Sequence, residues 1–420
     1  MSKFVVQGGH RLKGQIRVPG NKNSALALIA AALLGNSPTT LSNVPKIRDM
    51  DVMADIARSV GVEVTNGRDG ELIIDPKGLS SSKPDADLMG RVRASVVLAA
   101  PLLVRFGKVD LARPGGDTIG ERLLDTHIAM LSAFGAKCNG DFSGYRIKVN
   151  KLRPGKIFLD EASVTATEMA LMVGATMPEE TVIEGAAAEP HIVDLCQMLI
   201  RMGAKIDGAG TNTVRIKGSK KLKGVKHKVR PDHIEVGTFA IAAAITGGDI
   251  FIKNVIKDDL RMTLSYLGKM GVDWEYIDEE TLHIKPSELV AKQKTFKTRP
   301  WPGFPTDLMS PFIVLATQTK GTVLCHDWMY EWRIFFADHL ISMGAEITIA
   351  DPHRVIVSGP TKLHGEVIPS ADIRAGGALV LAALAAEGES IIEHAEIIDR
   401  GYEAFGDKLS SLGAKITRVE

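Results

Sequence analysis

Three cysteines in 420 residues, Cys138, Cys196 and Cys325, are too few and too scattered for a disulfide framework or a thiolate metal site. They fit a reducing cytoplasm. The chain also lacks an excess of either charge. A net charge of +1 gives no overall basic field for nucleic acid or an anionic membrane. Long hydrophobic runs are missing too. The longest, near Ala25–Leu34 and Ala378–Ala386, fall short of the roughly 20 residues that span a bilayer. The opening MSKFVVQGGHRLKG has no apolar core and no cleavage pattern, so no signal peptide is expected. No low-complexity segment and no His/Asp/Glu cluster with ligand spacing occurs, so neither metal nor cofactor is expected. Apolar content of 45% and charged content of 24% describe a soluble chain long enough for two or three domains. Any anion must then be met by a local cluster of Lys and Arg.

One phrase recurs six times: an amphipathic helix, a large apolar residue, Gly, then a short alternating strand. The glycines are Gly61, Gly135, Gly203, Gly271, Gly344 and Gly413. Their intervals run from 68 (203 − 135) to 74 (135 − 61). Gly at that place suits a left-handed helix C-terminus. The front of each unit repeats as well: strand, polar tip, then an Ala-rich helix, as at 157–175, 227–245, 297–316 and 365–384. A helix apolar on most sides is expected to be buried. Six mixed α/β units group most simply as three plus three around such helices, giving two domains. Pro19-Gly20 and Arg230-Pro231 are candidate crossings between them.

The stretch Ile16 to Leu34, IRVPGNKNSALALIAAALL, carries the first polar tip. Asn23 or Ser24 is a candidate helix cap. Lys22 is held beside a helix N-terminus, where free N–H groups and the macrodipole favour an anion. An ammonium placed there makes sense if an anion binds between it and the helix; a capped helix with a solvated lysine is the plainer alternative.

The six-unit plan, together with GNKNSALALIAAALL, RASVVLAAPLLVRFG, PGGDTIGER, FPTDL and DRGYE, resembles the enolpyruvyl transferases from Phe4 to the C-terminus. The RAS…PLL…RFG and PGGxTIG stretches are similar to the sugar-nucleotide branch. The branch that uses shikimate 3-phosphate carries Lys-Ser where this chain has Lys22-Asn23. The resemblance implies two inside-out α/β barrels, each of three repeated units with buried helices surrounded by sheets and outer helices. One domain would take 22–229, with a mobile Asp117 loop, and the other 1–21 plus 230–420, with an active-site cleft between them. It further implies a cytoplasmic transferase of peptidoglycan precursor synthesis. Phosphoenolpyruvate would add to the 3-hydroxyl of UDP-N-acetylglucosamine and phosphate would leave. It names no protein partner.

Phosphoenolpyruvate carries a phosphate and a carboxylate on three carbons, so its site needs several cations, preferably Arg. The family match points to Lys22, Arg122 and Arg400 for the phosphate and to Arg333 and Arg374 for the carboxylate. Asp307, in FPTDL, matches the candidate general base; a helix cap is the alternative. Asp117 stands where most members have a Cys that delivers a proton to C3. An aspartic acid serves there only if it holds its proton at the moment of transfer. Fosfomycin alkylates that Cys, so the exchange implies resistance. Asn23, Arg93, Ser163, Val164 and Met329 are implied on the sugar-nucleotide side, and Asp372 beside Arg374 is implied in ordering the domains. Lys46 and Arg48 are expected to be peripheral, and His127 to satisfy a neighbour.

Val97, Glu121, Leu123, Glu161 and the bulky stretch Trp328 to Arg333 depart from the pattern, all on the nucleotide side. They leave two alternatives open: transfer to a different acceptor (another sugar nucleotide, a nucleoside or shikimate 3-phosphate), or a catalytically silent nucleotide-binding paralogue.

Overall fold

The computed structural model describes residues 2–117, 119–120, 122–141 and 144–420. Glu121, one of the departures above, lies outside them. The chain folds into two compact units. Unit one takes in the described residues of 1–19, 117–121 and 231–420; unit two takes in those of 20–116 and 122–230. The sequence reading put the Asp117 loop with 22–229; by packing, Asp117, Ile119 and Gly120 group with unit one.

The repeat is visible at its punctuation. All six glycines have positive φ, between 90° and 123°, a region that costs a residue with a Cβ but not Gly. Each ends an outer helix and opens a strand, as Gly203 does between Pro190–Met202 and Lys205–Asp207.

In unit one, helices His233–Ile245, Met309–Thr317 and Ile373–Ala385 are buried along almost their whole length. Their sequences, HIEVGTFAIAAAI, MSPFIVLAT and IRAGGALVLAALA, present no continuous polar face, so water has no side to wet. Three four-stranded sheets accompany them. One runs Val367–Pro369, Glu389–Glu393, Lys3–Gln7, Lys415–Val419; the N-terminal strand therefore sits inside the last repeat. Its pairing matches Phe4 with Ile392 and Val6 with Ile416, across strands that alternate buried and exposed. Tyr266, Phe296, Phe304 and Phe312 pack ring against ring within 4.7–5.9 Å.

Unit two repeats the plan around Lys22–Ala32, Ala99–Phe106 and Val164–Gly174. The strand leading into helix Val164–Gly174, Lys156–Phe158, runs parallel to the one after it, Glu180–Glu184, whereas Ala99–Phe106 has no such leading strand among the described residues. At the two crossings the leading strands are exchanged. Lys13–Arg17 pairs in parallel with Asp249–Lys253 in unit one, and Lys226–Lys228 with Thr39–Ser42 in unit two. The chain therefore leaves a strand in one unit and enters the buried helix of the other. This puts the caps Asn21 and Asp232 at equivalent helix starts. Among the described residues no helix is long and apolar enough to cross a membrane.

Candidate active site

In unit one, Asp307 lies in the short 3-10 turn Thr306–Leu308 that leads into helix Met309–Thr317. The cap position is Pro305, which makes no side-chain cap bond, so Asp307 is not a helix cap. Its carboxylate is turned to two arginines. Arg333 Nη2 donates to Oδ1 at 3.1 Å; Arg374 Nε and Nη2 donate to Oδ2 at 3.1 and 2.9 Å. Both arginines are almost wholly buried, 4% and 5% exposed. Burial works against each guanidinium's charge, but the Asp307 carboxylate outweighs it and holds both above the usual arginine range. Arg333 Nε and Arg374 Nη1 are buried with no hydrogen-bond partner among the described residues. Leaving such a donor unmade costs about 1–3 kcal/mol, and more when it is charged.

Local structure fixes these side chains. Asp372 caps helix Ile373–Ala385, accepting the Arg374 and Ala375 N–H groups at 2.8 and 2.9 Å, which sets Arg374 in the first turn. Tyr402 supports it from below, its ring centre 5.1 Å from the guanidinium carbon. Burial pushes the Asp372 carboxyl above its ordinary value, helped by the charge of Asp117 and opposed by Arg333. Asp327 accepts the Thr298 hydroxyl and the Met329 N–H, both at 3.0 Å, and so shapes the irregular stretch that carries Arg333. Arg400, just beyond the short helix Ala395–Ile398, donates from Nη1 to Asp117 Oδ1 at 2.8 Å. Asp117 is therefore bound to a cation and is not simply a brace for the Gly-Gly turn. Ile119 is buried, and its carbonyl accepts the Trp332 N–H at 3.2 Å.

In unit two, Lys22 is the first residue of its helix. The cap is Asn21, whose side chain accepts the Ser24 N–H at 2.9 Å, two places before Asn23 and three before Ser24. Lys22 Nζ lies 2.7 Å from Asp49, a buried carboxylate in the first turn of helix Arg48–Ser59. Asn23 is half-buried beside it. Arg93 donates from Nη2 to the Arg122 carbonyl. A Cβ on Gly115 would fall 1.7 Å from the Gly90 carbonyl oxygen, so only Gly lets this loop approach. Ser163 caps helix Val164–Gly174 through a 3.5 Å contact to the Ala166 N–H, and Val164 begins that helix. His127 lies 2.7 Å from the Thr165 hydroxyl through Nε2; burial, with Arg93 second, pushes it down to about 4. Lys46 and Arg48 are exposed.

Unit one thus brings together Asp117, Asp307, Arg333, Asp372, Arg374 and Arg400. Met329 enters through the backbone bond to Asp327. Unit two joins Arg93 to Arg122 and to the His127–Thr165 pair, with Lys22 on Asp49. Sequence reasoning missed Asp49, Tyr402 and Asp327. Tyr402 was inside the DRGYE motif already singled out. Among the described residues no three His, Cys, Asp or Glu side chains gather as a metal site. The arrangement suits a carboxylate acting as a base beside cations that hold an anionic substrate.

The sequence pattern described as EPSP synthase (3-phosphoshikimate 1-carboxyvinyltransferase) matches residues 6–409. A UDP-N-acetylglucosamine 1-carboxyvinyltransferase from Treponema denticola is 44% identical over 100% of both chains. One of the same name from Bradyrhizobium diazoefficiens is also 44% identical, over 99% of this chain and 98% of its own. The crystal structure of the enolpyruvyl transferase NikO from Streptomyces tendae superposes with a TM-score of 0.88 at 25% identity, covering 100% of this chain and 99% of that one. The fold is thus that of the two-domain inside-out α/β enolpyruvyl transferases, and the chain belongs to the EPSP synthase (3-phosphoshikimate 1-carboxyvinyltransferase) family.

Proposed function

We propose that this protein transfers the enolpyruvyl group of phosphoenolpyruvate to the 3-hydroxyl of UDP-N-acetylglucosamine and releases phosphate, in the cytoplasm, as a step of peptidoglycan precursor synthesis. Full-length relatives at 44% identity carry the name of that activity. The observation that carries the chemistry is the clasp of Asp307 by two buried arginines that each keep an unpaired N–H. A pure binding protein needs no such carboxylate. A substrate carboxylate would take the unpaired donors, and the base would stay within reach.

In this reading Asp307 removes the proton of the sugar hydroxyl as its oxygen attacks C2 of phosphoenolpyruvate, while C3 takes a proton from Asp117. The product is a tetrahedral ketal. Loss of a C3 proton and departure of phosphate from C2 then restore the double bond in the product. Arg333 and Arg374 hold the carboxylate. Lys22, Arg122 and Arg400 hold the phosphate and stabilise it as it leaves. The phosphate competes with Asp117 for Arg400. Asn23, Arg93, Ser163, Val164 and Met329 serve the sugar nucleotide, with Ser163 and Val164 offering N–H groups at a helix start. Asp372 holds Arg374 in register.

Phosphate release from phosphoenolpyruvate tests the proposal, with UDP-N-acetylglucosamine, shikimate 3-phosphate or no acceptor. Release with the sugar nucleotide alone is expected. Release only with shikimate 3-phosphate would move the protein to the other branch, and none with any acceptor would make it a binder.

A further inference from the structure

We infer that Asp194, with Ser24 and His227, is a positioning device for Lys22, an inference that rests on the activity proposed above. Ser24 stands two residues after Lys22 in the first turn of helix Lys22–Ala32, and its hydroxyl donates to Asp194 Oδ2. The same oxygen accepts the Arg230 backbone N–H at 3.0 Å. The Arg230 carbonyl in turn accepts the Asn21 N–H at 2.7 Å. One carboxylate oxygen therefore ties the first turn of the helix to the backbone that holds its cap residue.

The other oxygen, Oδ1, lies 2.8 Å from His227 Nε2. Arg201 Nη1 is 3.5 Å from His227 Nδ1. A guanidinium only donates, so Nδ1 accepts and Nε2 donates its proton to Asp194. Every partner of Asp194 is thus a donor. Ser24, Asp194 and His227 are all buried. A buried, fully engaged carboxylate has few alternative arrangements, because each one leaves charge or a donor unpaired. Lys22 is pinned at its tip by Asp49 and at its base by this network. Neither Asp194 nor His227 touches reacting atoms in the scheme above. Their contribution is to fix the turn from which Lys22 extends.

Ser24→Ala removes only the helix's own bond to Asp194. Steady-state kinetics should show KM for phosphoenolpyruvate raised about tenfold or more, as small misplacements of a binding group do. The dissociation constant for UDP-N-acetylglucosamine, measured by calorimetry, should change several-fold less, because Asn23 shares this turn but Arg93, Ser163 and Val164 do not. A purely structural role would lower the melting temperature and leave that split between substrates unmoved. If the alanine variant does not fold by circular dichroism, Ser24→Cys, close in size and a poorer donor, carries the same test. Native constants in the folded variant overturn the inference. A wild-type protein that releases no phosphate overturns the functional reading first, and this inference with it.

Discussion

Arg400 Nη1 donates to Asp117 Oδ1 at 2.8 Å, with the two side chains 22% and 19% exposed. A carboxylate in a charge-assisted bond is a weak nucleophile, far weaker than a thiolate. Fosfomycin should therefore bind reversibly at most. Preincubation with the drug should leave the initial rate of phosphate release constant over time. Asp117→Cys should introduce a progressive, irreversible loss. Time-dependent inactivation of the native protein would end this reading of Asp117.

Asp307 takes three hydrogen bonds from Arg333 and Arg374. Asp307→Asn keeps the shape and removes the base. Turnover should fall by roughly 10²–10⁴, the usual worth of a general base. KM for the sugar nucleotide should move little. Near-native turnover would reassign the base. A fall in folding stability comparable to that in turnover would mark Asp307 as a structural counter-ion.

The six glycines and the buried Ala-rich helices were legible in the sequence because their causes are local. A left-handed helix end needs Gly, and a helix with no polar face needs burial. The cap was misplaced by at least two residues because Asn21, Asn23 and Ser24 are equally eligible by type, and only the backbone turn chooses among them. Asp307 could be connected to Arg333 and Arg374, 26 and 67 residues away, only through family resemblance, since no periodicity links them. Asp49 and Asp194 stayed hidden for the same reason: each lies on a different helix from its partner, Lys22 or Ser24, and no periodicity links the pairs. His127 was read as a histidine satisfying a neighbour, and its contact with Thr165 fits that reading.

Arg333 reaches Asp307 with Nη2 and keeps Nε unpaired. A lysine has one ammonium and cannot present two donors in a fork. Arg333→Lys should therefore bind Asp307 or a substrate carboxylate, but not both in the same plane. Initial-rate measurements should show KM for phosphoenolpyruvate up by about tenfold or more, equivalent to about 1.4 kcal/mol. An unchanged KM would remove Arg333 from the carboxylate site.

His127 supplies a test by pH. In the folded protein burial and Arg93 push it down to about 4, against an ordinary value of 6.5. A group whose proton is held less tightly when folded stabilises the fold above the unfolded value, and that stability is lost as pH falls toward the folded one. The window is therefore pH 6.5 down to 4. Between pH 7 and 4.5 this one group should withdraw about 2 kcal/mol, by the linkage relation for a lowered imidazole. His127→Asn keeps a polar group for Thr165 and cannot titrate. Urea unfolding at the two pH values should show the native protein losing about 2 kcal/mol more than the variant on acidification. An equal loss in both would mean that His127 takes up a proton in the folded state as readily as in the unfolded chain, and would overturn this reading of its burial beside Arg93.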